Sequence, residues 1–242
     1  MPSLYHVPIL DYFWDMRTIG RMYRAVAVIR YACEAILDTV LPMHERSART
    51  KIRTAHEIPL SPTVHDLLGT HITTLMEYHD PAVEDLIRSL KYDGSGHAAR
   101  LVAQLLADYL REEIASHRSF SQRKILIVPV PLHISRVRER GFNQIELVLK
   151  ALSQEFFDST HSTLAPCALT RTRETKPQTR LPRSERLSNV AGAFVAPNAA
   201  LVNKTHIFLI DDVTTTGATL VNAATPLRRA GAEVTLLALA RA

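Results

Sequence analysis

Cysteine is scarce in this 242-residue chain, which carries only Cys33 and Cys167. Two thiols cannot build a disulfide framework, and they cannot fill a four-cysteine zinc site. A reducing compartment suits such a chain. Tryptophan occurs once and aromatic residues make up 6% of the whole, so few platforms exist on which single-stranded bases would stack. The most apolar long run, residues 25–41, is interrupted by Arg30, Glu34 and Asp38, and it cannot cross a bilayer cheaply. Met1–Asp15 is aromatic and acidic, where a secretory signal would be basic and then apolar. The expectation is a cytoplasmic protein with no membrane insertion.

What is present is an ordinary globular composition, 46% hydrophobic, with a formal net charge of +5. That balance favours a proper core and an anionic ligand or partner. Met22, Val26, Ile29, Cys33, Ile36 and Val40 recur at steps of four and three, which predicts a helix from Arg21 to about Leu41, stopped by Pro42. Residues 43–66 are polar and read as a linker or irregular lobe. His44, His56, His65 and His71 have no tight metal-ligand spacing. His71 to Tyr78 reads as a strand, and Pro81 opens a helix running to about Lys91. Gly94-Ser95-Gly96-His97-Ala98-Ala99 imitates a dinucleotide fingerprint, but a helix precedes it where a strand is needed. It reads as a turn and cap before a helix over about 97–115.

Lys124 to Val130 is a second buried strand. A loop and a basic, glycine-containing stretch follow, with Arg136, Arg138, Arg140 and Gly141, and then a helix at about 143–156. Residues 167–172 suggest a short strand. Strands at 205–210 and 233–239 flank a helix at 218–229. Strands alternating with helices predict an α/β fold with a doubly wound parallel sheet. The chain divides on this reading into an N-terminal helical or irregular segment, 1–70, and an α/β domain, 71–242.

The most informative stretch is Ile207 to Thr219, IFLIDDVTTTGAT. Four apolar residues without alternation suit a strand covered on both faces. Asp211 and Asp212 fall where that strand should end, the place where ligands bind in open α/β sheets. Adjacent carboxylates repel, so stability alone gives little reason for the pair. A sugar diol or a hydrated Mg²⁺ would use both. Thr214, Thr215, Thr216 and Thr219 surround Gly217, which lets a ligand approach the backbone. Ala218 begins a helix whose first N–H groups suit a phosphate. Helix capping would account for one threonine and leave the others and the aspartates unexplained.

This stretch resembles the phosphoribosyl pyrophosphate (PRPP) motif of type I phosphoribosyltransferases. The resemblance implies that Asp211 and Asp212 hold the ribose hydroxyls, directly or through Mg²⁺, and that Thr214 to Thr219 hold the 5′-phosphate. A second unusual segment, 171–189, has six basic residues, Arg171, Arg173, Lys176, Arg180, Arg183 and Arg186, against Glu174 and Glu185. Arginine grips phosphate with a planar fork, and a mobile basic loop that closes over a pyrophosphate would have this composition. A solvated charged loop is the plainer alternative.

Four blocks narrow the resemblance: PVPLH at 129–133, RERGFNQIELVLKAL at 138–152, KPQTRLPRSERLSNVAGAF at 176–194 and IDDVTTTGATL at 210–220. In that order, and with SLKYDG at 89–94 upstream, they resemble the competence protein F (ComF) family of the phosphoribosyltransferase superfamily over about residues 75–242. The resemblance implies that Pro131, Leu132 and His133 form a pyrophosphate loop. It implies that Lys176, Gln178, Arg180, Arg183, Arg186 and Asn189 belong to the flexible loop. Many ComF-like proteins begin with a cysteine-rich zinc finger. Residues 42–66 have no cysteine, so no zinc is expected.

Two readings of function follow. One is an enzyme that binds Mg–PRPP and transfers phosphoribosyl to a nitrogen base with release of pyrophosphate. The other is a non-catalytic accessory protein of natural competence that binds PRPP, a nucleotide or single-stranded DNA. A PRPP-sensing repressor is a weaker third, since residues 21–66 show no clear helix-turn-helix.

Overall fold

A computed structural model describes residues 45–157, 162–174 and 190–242 of the chain. The predicted helix at 21–41 and the basic loop 176–189 lie outside the described residues. In chain order the elements are α1 (Glu45–Lys51), β1 (Thr63–Leu67), β2 (Thr70–Glu77), α2 (Pro81–Asp93), α3 (Gly96–Phe120) and β3 (Lys124–Pro129). They continue with α4 (Ile134–Arg140), α5 (Gln144–Lys150), β4 (Thr163–Leu164), β5 (Thr170–Arg171) and β6 (Phe194–Val195). The last four are α6 (Ala199–Val202), β7 (Thr205–Thr214), α7 (Ala218–Arg229) and β8 (Glu233–Arg241).

Six strands form one sheet in the order β1-β2-β8-β7-β3-β4. Only β1 runs antiparallel to its neighbour, β2; the other pairs are parallel. Strand alternation divides the core into two layers. Phe208, Ile210, Leu237 and Leu239 face α2, α3 and α5. Ile207, Leu209, Leu236 and Ala238 face α7, through Leu220, Ala223, Ala224 and Leu227. Both faces are covered, so the unbroken apolar run at 207–210 needs no polar side. The α/β class and the largely parallel sheet agree with the sequence reading.

The connectivity creates a crevice. From β3 the chain passes through α4 and α5 to β4, on the outer side of β3. From β7 it passes through α7 to β8, on the other side. Neighbouring strands whose connections diverge leave a gap beyond their carboxyl ends, and ligands of open α/β sheets bind there.

Several local expectations change. β7 does not stop at the aspartates. Its ladder with β3 ends at Ile210, opposite Pro129, but its ladder with β8 runs on to Thr214, opposite Arg241. The Val130 N–H still donates to Ile210 O, but the next donor and acceptor turn elsewhere: the Asp212 N–H donates to Asp211 Oδ1, and Val130 O accepts from Asn143 Nδ2. The stretch 43–66, read as a linker or irregular lobe, contributes α1 and most of β1 to the body over its described residues. Arg46 binds Asp93 at 2.6 Å, Arg49 binds Asp85 at 2.7 Å, and Thr50 meets Ser89 in a buried contact of 3.2 Å. These polar contacts leave no apolar periodicity to read. The basic stretch after β3 is helical: His133 caps α4, and Gly141, at φ 81°, ends it. The helix expected at 143–156 is α5 followed by a 3₁₀ turn at Gln154–Phe156. The strand expected at 167–172 is a 3₁₀ turn at Pro166–Ala168 and then β5, which pairs with β6 outside the main sheet. No helix among the described residues is long and apolar enough to cross a membrane.

Phe208 is 1% exposed and among the largest fully buried side chains. Phe208→Ala should destabilise the protein by about 3–5 kcal/mol, whereas Ile52→Ala, at a residue 83% exposed, should stay within about 0.5 kcal/mol of the parent. Urea denaturation of both variants checks the contrast.

Candidate active site at the carboxyl ends of the central strands

Consecutive strand residues project to opposite faces, so the two aspartates of β7 have different surroundings. Asp212 faces α2 and α5. Its Oδ2 accepts from Gln144 Nε2 at 2.7 Å and lies 3.4 Å from Lys91 Nζ. Its Oδ1 accepts from the Val213 N–H at 2.7 Å. The residue is 6% exposed. A carboxylate this deep needs such partners. Asp212 in turn raises the Lys91 ammonium above its usual range, against the opposing effect of burial.

Asp211 belongs to the other face. Its Oδ1 accepts from the Asp212 N–H at 2.9 Å. Burial, reinforced by the neighbouring charge of Asp212, pushes its carboxyl up to about 7; Lys91 and Arg171 pull the other way but do not prevail. Arg171, on β5, is itself lowered by burial, with Arg136 and Arg173 adding repulsion and Asp211 offsetting part of it. A carboxyl held above its normal range beside interacting arginines is the kind of poised group found at functional sites.

Beyond the aspartates the chain turns into α7. Thr214 is buried; Thr215, Thr216 and Thr219 are half-buried. The Ala218 N–H donates to Thr216 Oγ1 at 3.4 Å. Gly217 is required twice over. Its φ of +79° is disfavoured for other residues, and a Cβ there would lie 2.7 Å from Ile72 Cδ1 and 3.0 Å from Leu67 Cβ. The loop therefore sits tightly on β1 and β2.

The Pro131-Leu132-His133 loop leaves the sheet beside this one, since the Val130 N–H donates to Ile210 O at 2.8 Å. Asn143 Nδ2 donates to Val130 O at 3.1 Å, and Asn143 Oδ1 caps α5 by accepting from the Ile145 N–H at 3.0 Å. That cap delivers Gln144 to Asp212. His133 Nδ1 lies 2.9 Å from Ser135 Oγ, and Ser135 Oγ donates to Glu174 Oε1 at 2.7 Å.

Asp211, Asp212 and the 131–133 loop thus lie where the β3–β7 ladder ends, and Thr214 to Thr219 continue from β7 onto β1 and β2. Lys176, Gln178, Arg180, Arg183, Arg186 and Asn189 lie outside the described residues. Lys91 and Gln144 were missed as site residues, and Arg136 and Arg171 were read only as parts of basic stretches. The blocks SLKYDG and RERGFNQ contain Lys91 and Gln144, but only the three-dimensional contact with Asp212 gives them a role.

No family model matches the chain. Competence protein ComFC of Streptococcus pneumoniae is 30% identical over 155 residues, 64% of this chain and 61% of that protein. DNA utilization protein YhgH of Escherichia coli K12 is 34% identical over 162 residues, 66% of this chain and 67% of that protein. Competence protein F of Haemophilus influenzae is 31% identical over 161 residues, 65% of this chain and 67% of that protein. The chain thus spans less than two thirds of the pneumococcal relative's length. Among solved structures, Leishmania donovani UMP synthase aligns with 80% of this chain and 30% of its own, at 18% identity and a TM-score of 0.30; a likeness this weak carries no argument.

The raised Asp211 carboxyl has a consequence for stability. A folded-state value of about 7 against an unfolded one near 4 means that the native state holds the extra proton between them. Its contribution therefore falls as pH climbs through that window. Asp211→Asn should raise the melting temperature of the ligand-free protein at pH 8, by roughly 2–4 °C per kcal/mol of relief, and the gain should shrink at pH 5. Thermal melts at the two pH values measure it.

Proposed function

The chain belongs to the competence protein F family, and from that premise we propose that the crevice between β3 and β7 is a PRPP site of the type I phosphoribosyltransferase kind. The observation that carries the reading is that β7, which bears Asp211 and leads through the threonine-rich turn into α7, is one of the two strands whose connections diverge. Asp211 would accept from a ribose hydroxyl. The N–H groups and hydroxyls of Thr215 to Thr219 would hold a 5′-phosphate, because the start of a helix offers partial positive charge.

Mg²⁺ fits this site. The Asp211 carboxyl is held above its usual range by burial and by Asp212, a penalty that a hard cation or a bound diol would relieve. Asp212 already has Lys91, Gln144 and the Val213 N–H, so its part is to position β7 and set the charge beside Asp211. Bound Mg²⁺ would supply charge neutralisation for the diphosphate.

The reaction would be substitution at the anomeric carbon. A bond forms from a nitrogen of the acceptor base, and the bond from that carbon to the pyrophosphate oxygen breaks. Positive charge builds on the ribose ring and negative charge on the leaving group. Asp211 lies on the ribose side. Arg136 and Arg171, with the basic loop 176–186, would meet the leaving pyrophosphate. Charged groups fixed in advance lower such a barrier without reorganising.

A second reading rests on the relatives' names, competence protein and DNA utilization protein. They support a role in DNA uptake or use. The same site would then bind PRPP or a nucleotide without turnover, and the net charge of +5 would aid contact with single-stranded DNA.

Incubation with Mg–PRPP and a pool of nucleobases should yield pyrophosphate and a new nucleotide, and Asp211→Asn/Asp212→Asn should lower PRPP affinity at least tenfold. Unchanged affinity in the double variant contradicts the site. PRPP binding without product, joined to DNA binding that weakens steeply with salt, supports the second reading instead.

A further inference from the structure

At the opposite, amino-terminal end of the central strands, three elements distant in sequence meet. His117 lies in the last turn of α3, His206 is the second residue of β7, and Glu233 opens β8. His206 and Glu233 are register partners on neighbouring strands. One ligand atom of each of the three residues lies within 4.8 Å of the others. The two imidazoles lie against each other, with centroids 3.8 Å apart and planes tilted by 35°. Phe208 closes the site with its ring 5.0 Å from that of His206.

The hydrogen bonding around these rings is incomplete. Thr235 Oγ1 lies 3.1 Å from His206 Nε2. His206 Nδ1 and His117 Nε2 are buried atoms with no hydrogen-bond partner. Leaving a buried nitrogen unpaired is costly, and two together call for an explanation. Rings stacked in this way do not hydrogen-bond through their in-plane nitrogens. Glu233 Oε2 is 3.6 Å from His206 Nδ1, too far for a hydrogen bond, and Glu233 Oε1 is 3.3 Å from Arg123 Nη2. Two imidazole nitrogens and a carboxylate oxygen are the donor set of three-ligand zinc sites. A partner on the far nitrogen, here Thr235 on His206, fixes the ring as outer partners of metal-bound histidines do.

We propose that His117, His206 and Glu233 form a binding site for a transition-metal cation of the zinc class. The Glu233 side chain is 53% exposed and can swing inward, leaving its contact with Arg123, and the His117 ring, in the last turn of α3, would turn out of the stack so that the in-plane lone pairs of both imidazoles meet one ion at the roughly 2.0–2.2 Å that zinc takes. The ion would clasp the end of α3 to the starts of β7 and β8 and leave a fourth position for water. The site is independent of the PRPP reading, because it lies at the other end of β7. Residue spacing gave no hint of it. The expectation of no zinc rests on the scarcity of cysteine and on the spacing of His44, His56, His65 and His71, none of which belongs to this cluster.

The full-length protein, stripped with a chelator, is titrated with Zn²⁺ by calorimetry and with Co²⁺ by visible absorption. Wild type should show saturable binding with a strong tetrahedral Co²⁺ band, and its melting temperature should rise with metal concentration. Glu233→Gln, a near-isosteric change at an exposed side chain, should lower affinity at least tenfold, and so should His117→Ala. Should His117→Ala fail to fold, Glu233→Gln decides alone. Absence of saturable binding to wild type, or equal affinity in Glu233→Gln, overturns the proposal.

Discussion

The candidate site depends on β7 outrunning one of its neighbours. Its pairing with β3 ends at Ile210, while its pairing with β8 holds as far as Thr214. The backbone at Asp211 and Asp212 is therefore held by a strand on one side only, with Asp212 buried against Lys91 and Gln144 and Asp211 half-buried on the other face. A ladder on one side gives a rigid backbone, and its absence on the other gives access. Placing two carboxylates side by side on such a strand costs electrostatic energy. Lys91, Gln144 and the Val213 N–H offset it at Asp212. Asp211 keeps the strain, as its raised carboxyl shows.

The helices on the Asp212 face serve this arrangement. Pro129 ends β3, Asn143 ties the next helix back to Val130, and the following residue, Gln144, reaches Asp212. From α2, Lys91 arrives independently. On the far face Gly217 lets the threonine turn lie against Leu67 and Ile72, which belong to the β1–β2 hairpin. Only β1 of that hairpin falls mostly within the stretch that composition alone presents as irregular; β2 matches the strand expected at 71–78.

Apolar patterning made much of this legible. The runs at 124–130 and 207–210, the leucine face of α3 and the helix at 218–229 all follow from burial, and burial leaves a periodic trace. Elements held by polar contacts left none. Arg46, Arg49 and Thr50 dock α1 on α2 through Asp93, Asp85 and Ser89, and His133 caps a helix hidden in a basic stretch. The aspartates and threonines of the crevice were visible because their local order is unusual. Lys91 and Gln144 act only through contact with a residue far away in sequence, and the opposite facing of the two aspartates required knowing that the strand continues. His117, His206 and Glu233 are invisible for the same reason.

The central claim is that β7, its threonine turn and the loop after β3 form one anion-and-diol site. Hydrogen–deuterium exchange with and without Mg–PRPP tests it most directly, because backbone amides at 212–220 and 130–135 report the site residue by residue. The account predicts slower exchange in both segments together, with little change at the far end of the strands around His117 and Glu233. Protection elsewhere, with those two segments unaffected by saturating Mg–PRPP, would contradict it.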